Sequence, residues 1–339
     1  MTRRRATLIV VAVVAALTAV LGVLVFTPLL DRTLDSQAQP SSSYDEAMAR
    51  STDLLGTDGD DVNPACRSRV YDQGERSDVA VVLLHGFTNC PAQWDAIAQA
   101  YVDAGYSVVV PRLPGHGEQD RLSPALSAIG PDDLVDTGDL AVDIAAGLGD
   151  DVWVVGLSGG GTLAAWLASE RDEISTAVLI APLVAPKVLP EFAVGPVARV
   201  SRFIPDVSIW WDSDLKEQLD TPPYAYPRFT VRSLGAFLAV GRATQHTEPR
   251  RETPLERLVV ITNDNDAAVS NAGVYDVERQ LEQLLRLDEG GVDRIDYVFA
   301  DELQFKHDVI DPQGENAEQL DEIYPLLGPL IGLDDLTAP

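Results

Sequence analysis

The sequence predicts an α/β fold in which a mostly parallel sheet carries helices on both faces. Three observations lead there. From Val79 onward, six short apolar runs alternate with segments of helical spacing, the repeated pattern of strand and crossover helix. The runs are nearly continuous in Val, Ile and Leu, as strands covered on both faces require. With 46% hydrophobic residues in 339, the chain holds enough apolar mass for one large core.

The N-terminus is of a different kind. Arg3, Arg4 and Arg5 precede an uncharged run from Ala6 to Leu30. At about 1.5 Å per residue, that run is long enough to cross a hydrocarbon core of roughly 30 Å. Residues 1–30 are therefore expected to be a signal anchor, a transmembrane helix whose arginines hold the N-terminus inside while the body lies outside the cytoplasm. The competing reading is a cleaved signal peptide and a secreted body. Such a peptide has an apolar region of only about 7–15 residues with a small-x-small site close behind. Here the nearest candidate, Ser36-Gln37-Ala38, lies well past the run.

Residues 31–64 are rich in Ser, Asp, Gln and Thr and read as an extracytoplasmic linker with one short helix near Tyr44 to Leu55. Cys66 and Cys90 are the only cysteines. An even count in an exported chain predicts a disulfide, worth ~3 kcal/mol for a loop of this length, with two separate buried thiols as the alternative. The formal charge is −28, and only Lys187, Lys216 and Lys306 among the 25 basic residues are lysines. An anionic surface of this size argues against nucleic acid or acidic lipid as partner.

Residues 65–339 form the predicted folded domain. Its strands are read at Val79–Leu84, Ser107–Pro111, Asp151–Val155, Thr176–Ile180, Leu258–Ile261 and Arg294–Phe299. Helical spacing covers Pro91–Ala104, Asp132–Leu148, Gly160–Ser169, Val274–Leu287 and a closing segment, Ala317–Leu330. The interval between Ile180 and Leu258 is far longer than one crossover needs. Its excess, about 184–253, carries Trp210, Trp211, Tyr224, Tyr226, Phe229 and Phe237 among prolines and reads as an inserted cap over the strand ends. Aromatics there suit a pocket lining as well as a structural subdomain.

In such a sheet, chemistry belongs at the carboxyl ends of the strands. Gly156-Leu157-Ser158-Gly159-Gly160 stands there, between a strand and a helix. A tight elbow exposes a serine hydroxyl, and Gly156 and Gly160 supply the small neighbours such a turn needs. A serine alcohol needs a base to take its proton, and the base needs a carboxylate to fix its tautomer. Among the four histidines, His85 and His116 lie in Gly-containing turns and suit turn shaping, and His246 lies in the polar exit of the cap. His307 follows the last strand by a loop and is the best base. Asp264 and Asp266 both follow the penultimate strand, and either could be the acid. Spacing favours Asp266, which lies farther into the loop, with Asp264 left to cap the turn or face water. The oxyanion donors are expected to be the backbone N–H groups of Gly159 and of Phe87, in the loop after the first strong strand.

Together, Leu84-His-Gly-Phe-Thr88, Pro111-Arg-Leu-Pro-Gly-His-Gly117, Gly156-Leu-Ser-Gly-Gly160, Asp266-Ala-Ala-Val269 and His307 resemble, in order, the motifs of the α/β-hydrolase superfamily. The similarity is to the branch of carboxylesterases, monoacylglycerol lipases and serine aminopeptidase-like hydrolases, and covers about residues 65–335. It implies a serine hydrolase with a Ser158, Asp266, His307 triad acting on a small-molecule or lipid ester, with no metal or organic cofactor. Two positions depart from the pattern: Asn263 and Lys306 stand where glycines are often found before the acid and the base. A peptidase or acyltransferase would use the same triad, and a non-catalytic envelope binding protein could keep the fold.

Overall fold

The apolar runs pair into one sheet because each strand alternates its side chains between two cores. In the computed structural model, residues 31–219, 222–244, 254–285 and 291–339 are described, together with scattered positions between 11 and 29. The central strands are β2 (Ser77–Leu84), β4 (Gly149–Leu157) and β5 (Ile174–Ile180). They are flanked by β1 (Arg69–Tyr71), β3 (Ser107–Val110), β8 (Arg257–Asn263) and β9 (Asp293–Phe299). The sheet order is β1-β3-β2-β4-β5-β8-β9, with β1 alone antiparallel to its neighbour. On β2, Ala80, Val82 and Leu84 join one buried cluster, while Val79, Val81 and Leu83 join the other. This period of two is what a doubly covered strand requires.

Helices α2 (Asp95–Asp103) and α8 (Leu320–Ile331) cover one face, bringing Ile97, Tyr101, Tyr324 and Leu327 to the sheet. Helices α3 (Pro131–Leu148) and α4 (Gly159–Glu170) cover the other with Leu134, Ile144, Leu163 and Trp166. Helix α7 (Asn271–Leu285) lies between β8 and β9. All six predicted strands and five helical segments are present, within a few residues of their expected ends. β1 has no counterpart among the expectations, since three residues are too few to carry a period. The expected two-sided burial fails at β9, an edge strand whose Arg294 pairs with Glu278, Glu282 and Asp296. Charges of this kind blunt a free edge.

Residues 31–64, expected as a linker, instead lie against the domain. Helix α1 (Tyr44–Gly56) buries Ala47, Ser51 and Leu54, and it crosses α3 closely. A Cβ at Gly147 would fall 2.6 Å from the Ser43 carbonyl oxygen and 2.7 Å from Ala47 Cβ. Ahead of α1, Ser36 Oγ donates to Asp139 at 2.8 Å, Gln37 N donates to Asp139 at 2.7 Å, and Gln39 N donates to Asp143 at 3.0 Å. The polar composition that suggested a solvated segment is spent on these buried carboxylates. Arg171, its side chain wholly buried, binds the same pair, Nη1 to Asp139 at 2.9 Å and Nη2 to Asp143 at 2.5 Å, with Nε on Glu173 at 2.9 Å.

Among the described residues, no helix is long and apolar enough to cross a membrane. The expected anchor at 1–30 lies largely outside them. Cys66 and Cys90 are joined as a disulfide, with Cα atoms 5.2 Å apart. The insertion after β5 holds α5 (Glu191–Val200), an antiparallel hairpin of β6 (Ser208–Trp210) and β7 (Arg228–Thr230), and α6 (Val231–Thr244). Its exit, with His246, lies outside the described residues.

The Arg171 cluster generates a stability prediction. Arg171→Met leaves buried Asp139 without a cation and buried Asp143 with only Arg50 Nη1, 3.3 Å away, and should lower unfolding free energy by about 3–5 kcal/mol. Urea denaturation followed by circular dichroism measures it, and a loss under about 1 kcal/mol would mean that Arg50 and the backbone donors of 37–39 suffice.

Candidate active site

β4 ends at Leu157 and α4 begins at Gly159, which leaves a single residue to turn the chain. Ser158 does so at φ +56°, ψ −114°, a conformation that a residue bearing a Cβ rarely adopts. The packing around it forces the point. A Cβ at Gly156 would fall 2.2 Å from the Gly160 carbonyl oxygen, and one at Gly160 would fall 2.0 Å from that of Leu84. No side chain fits at either position, so the elbow glycines are required by close approach of backbone. Ser158 N donates to Ile180 O at 2.8 Å, fastening the turn to β5. The serine is 6% exposed beneath the cap.

The loop after β8 brings Asp266 to the loop after β9, where His307 Nδ1–H donates to Asp266 Oδ2 at 2.6 Å. Asp266 Oδ1 accepts the backbone N–H groups of Ala268 at 2.7 Å and Val269 at 2.9 Å, which fixes the carboxylate plane. Burial pushes Asp266 upward, but the hydrogen bond and charge of His307, with those two N–H groups, hold it below the usual range. Burial likewise works against the His307 cation, and the hydrogen bond and charge of Asp266, joined by Asp308 and Glu315, outweigh it and raise its pKa. Asp264 is exposed, with its carboxylate near the Asn271 amide at 3.4 Å. Of the two acids left open by the sequence, only Asp266 meets the histidine.

The two expected oxyanion donors adjoin. A Cβ on Gly159 would lie 3.0 Å from the backbone nitrogen of Phe87 and 2.8 Å from the Phe237 ring. His85 shapes this loop: its Nδ1–H donates to Gly86 O at 2.9 Å and its Nε2 accepts from Leu113 N at 3.0 Å. Its burial pushes its pKa well down, so it stays neutral. His116 donates through Nδ1 to Pro114 O at 2.9 Å and is also held low by burial. Over the site, Phe87 meets Phe237 at 5.0 Å, Phe229 at 5.4 Å and Trp211 at 6.2 Å between ring centroids. Tyr226 and Tyr224 turn elsewhere, Tyr226 Oη toward Gly115 O and Tyr224 Oη toward Asp311. Trp210 lies under Arg228.

Several residues that the sequence did not single out hold this geometry. Gln93 Oε1 accepts from Gly86 N at 2.7 Å while its Nε2 donates to Asp308 at 2.8 Å, joining the oxyanion loop to the residue beside His307. Asp308 and Asp311 are both pushed up by burial, Asp311 to about 7 with the charge of Asp308 adding to the effect. The signal of Gln93 in the sequence is faint, a single polar side chain within Cys90-Pro91-Ala92-Gln93-Trp94. The two departures from the family pattern also resolve. Asn263 Nδ2 donates to Phe305 O at 2.8 Å and Lys306 O at 3.1 Å, and buried Asn316 clasps Lys306 through N–H and C=O. A side chain at 263 thus adds two bonds between the loops of Asp266 and His307 that a glycine could not make, beside the 3.1 Å bond of Asn265 Nδ2 to Phe305 O. Lys187 Nζ donates to the carbonyl of Asp266.

A sharp, glycine-crowded serine elbow on a mostly parallel sheet, with a carboxylate-bound histidine at the same end, defines a hydrolase architecture. A model of the alpha/beta hydrolase family matches residues 81–298, and the chain belongs to that family. It is 29% identical over 227 residues to a thermostable monoacylglycerol lipase of Bacillus sp. strain H-257, covering 62% of this chain and 82% of the relative. The structure of a monoacylglycerol lipase from Paleococcus ferrophilus superposes with a TM-score of 0.56 at 17% identity, covering 78% of this chain and 98% of that one. A soluble variant of monoglyceride lipase from Saccharomyces cerevisiae gives 0.54 at 14%, covering 74% and 86%.

The His307–Asp266 pair generates a prediction about titration. Followed by NMR of its ring protons, His307 should titrate above the ordinary imidazole value of about 6.5. Asp266→Asn should bring it down, since the carboxylate that favours the cation is gone, and Asp264→Asn should leave it in place. A midpoint at or below 6.5 in the unaltered protein would contradict the pairing.

Proposed function

We propose that this chain is a membrane-anchored serine hydrolase, facing outside the cytoplasm, that cleaves carboxylic esters of the monoacylglycerol kind. The observation that carries the chemistry is the 2.6 Å contact of His307 with Asp266 at the sheet end that bears the Ser158 elbow. Ser158 Oγ attacks the ester carbonyl as His307 takes its proton through Nε2, the nitrogen not held by Asp266. The N–H groups of Phe87 and Gly159 receive the oxyanion, each such donor contributing roughly 3 kcal/mol in comparable sites. His307 then protonates the leaving alcohol, and water, activated by the same imidazole, releases the acid from the acyl-enzyme.

The ester class is supported by the relatives, named as monoacylglycerol lipases, and by the aromatic roof of Phe87, Phe229, Phe237 and Trp211, which suits an acyl chain. An uncleaved N-terminus is supported by Ser36 and Gln37, whose bonds to Asp139 put the nearest cleavage site into the folded body. The disulfide supports an oxidising compartment.

Ser158→Ala should abolish labelling by a fluorophosphonate probe and reduce hydrolysis of monoacylglycerols and p-nitrophenyl esters to the small residue left by binding alone. Asp266→Asn should lower kcat by several orders of magnitude, and Asp264→Asn by far less. Labelling retained in the serine variant, or the opposite order for the two aspartates, would overturn the triad. On intact cells, external protease should digest the body and leave the N-terminal segment, whereas a soluble mature protein beginning near Gln39 would establish cleavage.

A further inference from the structure

One residue of the loop after β2 stands in a conformation that its side chain disfavours. Among the described residues, five other than glycine take a positive φ, and Thr88, at +67°, is the one of them branched at Cβ. For such a side chain the left-handed region is an outlier, kept only where surrounding contacts fix it. Asn89 N donates to Gly86 O at 3.1 Å, closing a four-residue turn with Thr88 in its third place, where a positive φ ordinarily calls for glycine or asparagine. The same carbonyl accepts from His85 Nδ1 at 2.9 Å. Gly86 C=O and Phe87 N–H belong to one trans peptide and point in opposite directions. Bonds that fix this carbonyl therefore aim the N–H proposed for the oxyanion.

The contacts that hold Thr88 come from the cap. Trp211 Nε1 donates to its Oγ1 at 2.9 Å, and Tyr226 N donates to its carbonyl at 2.8 Å. The two donors sit side by side because Trp211 N donates to Pro227 O at 3.0 Å, extending the pairing of β6 with β7. Their hairpin is in turn fastened to the body. Tyr226 Oη accepts from Glu118 N at 2.9 Å and donates to Gly115 O at 3.1 Å, and Arg228 Nη2 donates to Leu122 O.

We infer that the cap completes the oxyanion hole: Thr88 and Trp211 are positioning residues, and the hydrogen bond between them keeps the Gly86–Asn89 turn in the strained form that presents Phe87 N–H to the reacting carbonyl. The inference rests on the serine-hydrolase reading and deepens it. With Trp211 off Thr88, the threonine turns toward a negative φ, the peptide between Phe87 and Thr88 rotates, and the turn slackens. Stabilisation is then lost where charge develops in the transition state, while binding of the ester under the roof is kept, so the loss falls on kcat rather than KM.

The test is a cycle of substitutions in the full chain. Thr88→Val removes the hydroxyl acceptor at nearly constant shape, and Trp211→Phe removes the indole donor while keeping a ring in the roof. Each should lower kcat for a p-nitrophenyl ester roughly 10-fold with KM changed by less than about twofold, and the double variant should be no worse than either alone. Affinity for a trifluoromethyl ketone, whose adduct with Ser158 carries an oxyanion, should fall by the same factor, whereas affinity for the corresponding secondary alcohol should not change. Glycine takes a positive φ without support, so in the Thr88→Gly background Trp211→Phe should cost less than about twofold in kcat. Thermal melting by circular dichroism checks that each variant is folded, and if Thr88→Val does not fold, the comparison of Trp211→Phe with and without Thr88→Gly decides. Additive losses, a loss confined to KM, or an undiminished effect of Trp211→Phe in the Thr88→Gly background would overturn the positioning role alone. Ester turnover that survives Ser158→Ala would overturn the hydrolase reading and this inference with it.

Discussion

The site rests on backbone crowding where β2, β4 and β5 converge. The carbonyl of Leu84, the Cα of Gly156 and the Gly159–Gly161 turn approach so closely that no side chain fits between them. Ser158 is clamped from a third direction by its bond to Ile180. The strained φ of the serine is therefore maintained by the three central strands, the best-covered part of the core, and a rotation there would have to move the sheet itself. Rigid strands hold a reactive hydroxyl more precisely than a loop could.

Asp266 and His307 arrive on loops, which have no such support from the sheet, and side-chain amides supply it. Asn263 links the two loops, Asn316 fastens the backbone on both sides of His307, and Gln93 connects the base's neighbour to the oxyanion loop. Each of these amides is buried or nearly so, where an unmade hydrogen bond is costly and a made one is correspondingly directive. The cap adds a ceiling of rings with a polar handle, Trp211 Nε1 on Thr88 Oγ1 at 2.9 Å, and Tyr224 Oη holds the cap to Asp311 from outside that ceiling at 2.7 Å.

Much of this was legible in the sequence because it follows from local rules. Strands read as apolar runs, the elbow read as glycines flanking a serine, and Asp266 separated from Asp264 by its distance into the loop. The amide network was not legible, because Gln93, Asn263 and Asn316 acquire meaning only when segments distant in the chain are side by side. The polar stretch 31–64 misled for the same reason. Its Ser and Gln residues find buried carboxylates on α3 that no composition argument could supply, and Gly147, unremarkable in the sequence, is what lets α1 lie so close. The cap resisted reading in a further way, since short hairpin strands among prolines carry no period.

The docked course of residues 31–56 has a consequence for how the molecule explores its surroundings. A free coil of some 30 residues would be a leash with a reach of about 30 Å, allowing the body to tumble at will. With Asp31 locked to Arg199 and Arg242, and α1 packed on α3, the leash has been reeled in. Asp31, cap and serine turn as one piece, so a direction imposed on the chain at residue 31 is passed on to the mouth over Ser158.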